Sequence, residues 1–221
     1  MLGRSTGRKE HFQKAIQLNR ESARIFGLNR GEDHTNTLES NYALVQAQIE
    51  LGELDQALPL LKILVDKLQR LRDPNDPMAL NATNMLGWTY MHKGQFSEAE
   101  YVLNGVFQFL RHKRPRDLLT IQVMGNLAIV QFRLGKLEKA ALLDKQTEKL
   151  ATEVLGSDHP ETLAAKARLG LGYLNQQRYA EAKKLLQQVA DVGPEIPGIE
   201  NVRDAIQQIN DESKMPNQES E

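Results

Sequence analysis

Catalysis or metal binding near neutral pH would fall first to histidine, which titrates there and ligates metals through either ring nitrogen. The chain has five: His11, His34, His92, His112 and His159. No two of them stand at metal-ligand spacing with carboxylates on one helix face, so they form no recognisable metal site. His34 and His159 fall in a phrase between repeated elements, where a capping or packing role is expected. Cysteine is absent, which excludes disulfides, thiolate nucleophiles and zinc–thiolate centres. There is no glycine-rich phosphate loop, nucleophile elbow or paired-carboxylate motif, so the sequence predicts a non-catalytic protein with no cofactor. The one dense charge is RHKRPRD (111–117), which could attract nucleic acid or an acidic partner. Without interleaved aromatics or a matching patch elsewhere, it reads as a solvated connector. With 28 basic and 29 acidic residues the net charge is −1, which gives no overall pull toward nucleic acid or anionic lipid. No apolar run approaches the roughly 18 residues of a membrane span. The start, MLGRSTGRKEH, lacks the hydrophobic segment of a secretory signal. A cytoplasmic protein that acts by binding another protein is the expectation.

The elements that would position such binding are set by one repeated stretch, GQFSEAE, from Gly94 to Glu100. Near-copies are GELDQAL from Gly52, GKLEKAA from Gly135 and QRYAEAK from Gln177, at offsets of 42, 41 and 42 residues. Each has glycine (once glutamine), an apolar residue two places on, and alanine five places on: Ala57, Ala99, Ala140 and Ala182. A fixed period of this size marks a stacked array rather than separate domains.

In chain order, residues 1–9 are expected to be flexible, and residues 10–26 to be the second half of a repeat. Phe12 lies 42 before Leu54, and Ala15 lies 42 before Ala57. The half repeat, bounded at 10–30, is either a piece of a longer array or an amino-terminal cap. A linker, GLNRGEDH, should follow. Full repeats are expected at about 35–73, 77–114, 117–156 and 159–193, each a helix pair broken at Gly52, Gly94, Gly135 or Gln177. Apolar residues at three- and four-residue spacing support the helices, such as Ala57, Leu61, Leu64, Val65 and Leu68. In DHPET (158–162), Asp158 is expected as N-cap with Pro160 early in the helix. Ile199, Val202, Ile206 and Ile209 predict a terminal helix over 198–210 that covers the last repeat. Residues 211–221 have little to bury and are expected to be disordered.

Aligned on their turns, the repeats show a second signature. Leucine stands eight before the turn (Leu44, Leu86, Leu127, Leu169), followed by Val45, Gly87, Ala128 or Gly170. Gln48, Tyr90, Gln131 and Tyr173 stand four before it. This resembles the tetratricopeptide repeat. The 42-residue period and the phrase GSDHPETL (156–163), with weaker forms at GEDHTNTL (31–38) and NDPMAL (75–80), resemble its kinesin-light-chain type. Such arrays also occur beyond the nucleotide-binding module of NOD-like receptor proteins, so a regulatory or sensor array of that kind is the alternative reading. The resemblance covers roughly residues 10–192. It implies an all-α fold, an α-solenoid of antiparallel helix pairs wound as a right-handed superhelix. Departures are Val45 in place of a small residue, Asp144 where other repeats have Leu61, Leu103 and Leu186, and Gln177 in place of turn glycine.

The resemblance also implies that first helices line a concave groove. By register its surface would comprise Tyr42, Gln46 and Ile49; Asn84, Trp88, Met91 and His92; Ile129, Phe132 and Arg133; and Leu171 and Asn175. Aromatic, methionine and aliphatic residues with a polar fringe suit capture of a partner's peptide or helix. Trp88, the chain's only tryptophan, is the expected anchor. Tyr42 and Gln46 stand where chaperone-tail-binding arrays carry lysine and asparagine, so a carboxylate clamp is not expected. Asn84 alone, with Asn126 one place off register, matches the asparagines of the kinesin-light-chain groove.

Overall fold

The structure, a computed structural model, describes residues 2–192 and 201–212. It divides into two compact units, residues 1–108 and 109–221. Among the described residues there are ten helices and no strand.

The first unit holds α1 (Leu2–Arg30), α2 (Thr35–Glu50), α3 (Leu54–Leu71), α4 (Pro77–His92) and most of α5 (Phe96–Lys113). Each of the first four packs on its neighbour in sequence, α1 on α2, α2 on α3 and α3 on α4. The second unit holds the end of α5, then α6 (Leu118–Arg133), α7 (Leu137–Leu155), α8 (Pro160–Asn175), α9 (Tyr179–Val192) and α10 (Val202–Glu212). There α6 packs on α7, α7 on α8, and α8 on α9. Short turns between neighbouring helices make the pairs antiparallel.

The repeated stretch closes each pair with the same hydrogen bonds. Gly52, Gly94, Gly135 and Gln177 each donate an amide to the carbonyl three residues back, at 2.9–3.0 Å. The next amide (Glu53, Gln95, Lys136, Arg178) reaches five residues back, at 2.8–2.9 Å. Two such bonds satisfy carbonyls the helix end leaves open, and they require a left-handed residue at the turn. The three glycines have φ of 73–75° and Gln177 has 59°, the one positive φ among described non-glycine residues.

First helices begin on acceptor caps. Asp76 accepts from the Ala79 amide at 2.9 Å, and Asp117 from the Leu119 amide at 3.1 Å. At α2 and α8 the cap is an imidazole: His34 Nδ1 accepts from Asn36 N, and His159 Nδ1 from Glu161 N, both at 3.2 Å. Asp158 is therefore not the cap. Proline has no amide to satisfy and fits the first helical position, so Pro160 makes its predecessor the N-cap, as Pro77 does for Asp76.

The small residues seven before the turns have a direct physical reason. A Cβ on Gly87 would lie 2.5 Å from Leu103, and one on Gly170 would lie 2.8 Å from Leu186. Both leucines are fully buried. In the third repeat the leucine position holds Asp144, itself 8% exposed, which accepts a 2.8 Å hydrogen bond from Arg168 Nε. Burial pushes the Asp144 carboxyl above the usual carboxylate range, and Arg168 offsets this only in part.

Two boundaries differ from the sequence expectation. Helix α1 starts at Leu2 and runs through Arg30, so residues 2–9 are helical and Gly27–Arg30 extend the helix into the expected linker. Tertiary contacts hold it. Phe12, Ala15 and Ile16 pack with Leu44, Ala47, Leu51 and Leu60, and Arg8 reaches Glu50 at 3.1 Å. At the other end α10 runs from Val202 to Glu212 and packs on α8 and α9. Val202, Ala205 and Ile209 are buried there with Leu163, Leu186 and Val189. Residues 193–200, with Pro194, Pro197 and Ile199, and the tail from 213 lie outside the described residues.

Candidate functional site

In the first unit the site residues sit on α2 and α4. Gln46 is exposed, and Tyr42 and Ile49 are half-buried. Burial raises the Tyr42 hydroxyl's pKa, so it stays a neutral donor. Asn84 and Trp88 are half-buried on α4. Met91, expected on the binding surface, is buried at 9% exposure, because that turn of α4 tucks it into the core. His92 is exposed and stacks on Trp88, with ring centroids 3.6 Å apart and planes 25° from parallel. Its Nδ1–H donates to the Trp88 carbonyl at 3.0 Å. That bond uses Nδ1 and holds the ring against the indole.

Next to these residues α1, α2 and α4 enclose an open cleft of about 520 Å³. Ala15, Ala43 and Ala47 leave its space, while Phe12, Ile49 and Met85 supply apolar bulk. Arg8, Gln46 and Glu50 add polar groups, the first and last as an exposed ion pair. Gln46 and Ile49 were legible by register. The contribution of Arg8, Phe12 and Ala15 was not, because nothing local marks residues 2–9 as part of a packed helix. The cleft is open to solvent, and its lining mixes apolar and polar side chains.

In the second unit Phe132 is 47% exposed on α6, with Arg133 exposed beside it and Ile129 half-buried. On α8, Asn175 is exposed and Leu171 is half-buried against the cluster that α10 covers. Gly125 lies at the same register as Tyr42 and Asn84. A Cβ there would come within 2.9 Å of the Arg168 guanidinium, so the space belongs to the Asp144–Arg168 pair.

No group of three potential metal ligands occurs among the described residues. No described helix is long and apolar enough to cross a membrane. His34 and His159 use one ring nitrogen each as helix caps.

Comparison with known proteins bears on the whole arrangement. Models of the tetratricopeptide repeat match residues 42–106 and 117–194. The chain belongs to the tetratricopeptide-repeat family. Among solved structures, the repeats of a Podosopora anserina protein assigned as a kinesin light chain share 25% identity with this repeat protein. They cover 86% of this chain and 91% of their own, with a TM-score of 0.72. BtubC from P. vanneervenii is 13% identical over 91% of this chain and 84% of its own, TM-score 0.72. Bacillus thuringiensis PlcR, solved with the peptide PapR7 and DNA, is 10% identical over 94% of this chain and 74% of its own, TM-score 0.61. The last two show likeness of fold alone. Comparison with curated protein sequences gave no match. The all-α repeat architecture and its likeness to kinesin-light-chain-type arrays agree with the turns and periods of this repeat protein.

Proposed function

We propose that this tetratricopeptide-repeat protein is a non-catalytic scaffold that holds a peptide or helix of a partner protein on its first-helix face. The cleft between α1, α2 and α4 carries the reading. It takes one apolar side chain of the partner, and the flanking Arg8, Glu50 and Gln46 offer charge and hydrogen bonds to the partner's polar groups. The stacked Trp88–His92 pair is the second contact, a rigid aromatic surface with a free imidazole nitrogen. Rigid aromatic anchors of this kind dominate many interfaces. The peptide complex of PlcR, a protein of similar fold, is consistent with such a role.

The test is selection of peptides from a random library on the folded chain, followed by titration against variants. Trp88→Ala, and separately Ala43→Phe to fill the cleft, should each weaken a selected peptide by about tenfold or more, about 1.4 kcal/mol. Helix content and melting should be nearly unchanged. Peptides whose affinity ignores both substitutions would place binding elsewhere, and a collapse of stability in Trp88→Ala would assign the indole to the core.

A further inference from the structure

Three departures from the repeat meet at one point of the second unit. Asp144 on α7 stands where Leu61, Leu103 and Leu186 stand in the other second helices. Arg168 on α8 is in register with Ala43, Met85 and Asn126, and Gly125 on α6 with Tyr42, Asn84 and Ala167. The three fit together. Asp144 Oδ1 accepts from Arg168 Nε at 2.8 Å, and the guanidinium lies against α6 at Gly125. A Cβ at Gly125 would stand 2.9 Å from one terminal amine, 3.4 Å from Cζ and 3.6 Å from the other amine. A side chain there would displace the guanidinium. Stability alone does not call for this set, because a buried ion pair is often no more stabilising than the apolar residues it replaces.

What the set supplies is an aimed guanidinium. The bond to Asp144 uses Nε alone and is the only hydrogen bond or ion pair of that guanidinium among the described residues. Both terminal amines keep their N–H donors, and the side chain is 22% exposed. A carboxylate presents two oxygens to such a fork and takes both amines at once. Because Asp144 already fixes the other edge, the side chain has little freedom left to lose on binding. The neighbouring carboxylates are engaged or turned outward. On α8, Glu161 accepts from Gln122 at 3.0 Å, while Lys166 donates to Ser157 O at 3.4 Å. On α7, Glu148, one turn past Asp144, accepts from Thr152 at 3.1 Å. The other charges of α7 (Glu138, Lys139, Lys145, Lys149 and Glu153) are exposed. Helix α6 has no acidic residue, and its one charge is Arg133. Gly125 shares its face of α6 with Ile129 and the exposed Phe132, which adds an apolar contact beside the guanidinium.

We infer that Arg168 is a recognition residue, and that the place at Gly125 takes the carboxylate of an acidic side chain of the partner. A recessed guanidinium favours a carboxylate carried on a methylene stem over a chain end, and the nearby Asp144 disfavours the higher charge of a phosphate. The inference deepens the scaffold reading and rests on it for the partner, but its test uses small probes, so its failure leaves the peptide selection unaffected. Arginine side-chain NMR of the full chain, near neutral pH and at constant ionic strength, follows titration with acetyl-glutamate amide, acetylglycine and inorganic phosphate. Asp144→Leu with Arg168→Met installs residues found at those registers in the other repeats and identifies the Arg168 resonance by its loss. Acetyl-glutamate amide should saturate that resonance at about one-tenth of the concentration that moves the exposed Arg111. In the double variant no remaining arginine should respond at that concentration. An Arg168 resonance that moves no sooner than Arg111 overturns the inference, because the guanidinium is then spent on Asp144. Tighter binding of phosphate overturns the carboxylate assignment, and tighter binding of acetylglycine overturns the side-chain source.

Discussion

Replacing Gln177 with glycine should stabilise the fold, and the size of the gain follows from the turn's geometry. Gln177 sits at φ 59° and makes the bonds that the three turn glycines make: its amide to Leu174 O and the Arg178 amide to Tyr173 O, both at 2.9 Å. A residue with a Cβ carries a cost of about 1–2 kcal/mol in this conformation. Glycine removes that cost but is freer in the unfolded chain, which returns about 0.5–1 kcal/mol. The net gain should be about 0.5–1 kcal/mol, or about 1–4 °C in melting temperature for a chain of this size. Side chains beside the turn already offset the strain. The Arg178 guanidinium lies over the Tyr173 ring at 4.0 Å and pairs with Glu181, contacts that Gln177→Gly leaves in place. Urea unfolding followed by circular dichroism gives the global change, and amide exchange at Gln177 and Arg178 gives the local one. Gly94→Gln is the reverse experiment and should lose about 0.5–1 kcal/mol by the same balance. If Gln177→Gly is neutral or destabilising while Gly94→Gln costs nothing, the turns carry no left-handed strain and the reasoning fails.

Gly87→Ala puts a methyl group 2.5 Å from the buried Leu103. It should cost about 1–3 kcal/mol in urea unfolding, with part of the loss recovered when Leu103→Ala is added. Asp144 should give an unusual pH profile, because its carboxyl is held above its unfolded range of about 3.9 by burial. Between those two values the folded chain keeps a proton that the unfolded chain has lost, so this contribution to stability falls as pH rises through the window. Unfolding measured from pH 7 down to pH 4 should therefore show the wild type gaining on Asp144→Asn as the solution is acidified. A wild type that loses ground to the variant would reverse the sign.

The turns and the close contacts were legible because each is a backbone requirement that one residue type meets best. Glycine at Gly52, Gly94 and Gly135 marks the left-handed position, and Gly87 and Gly170 mark the approach of a leucine from the paired helix. Gln177 was identifiable as a departure for the same reason. The cap at α8 was misplaced by one residue although the sequence held the answer: Pro160 takes the first helical position and leaves His159 to cap it. The extent of α1 was not legible. Residues 2–9 have no apolar period of their own, and their helix is held by contacts 30 and more residues away, such as Arg8 to Glu50. The cleft depends on that helix and was hidden with it. The Asp144–Arg168 pair was hidden too, since a polar residue in a leucine position finds its partner 24 residues on, across the α7–α8 crossing. Of the expected binding residues, Gln46 and Ile49 line the cleft, Trp88 and His92 form one stack, and Met91 turns inward.

The Trp88–His92 stack gives the molecule an optical handle. Indole emission depends on what lies within a few ångströms of the ring, and this chain has one tryptophan. Its fluorescence therefore comes from a single place, with an imidazole 3.6 Å away that is itself exposed. Any group that lifts His92 off the indole, or covers the pair, alters the emission with no label attached. Occupancy of this face could be followed in real time on the unmodified chain, including in mixtures whose other members lack tryptophan.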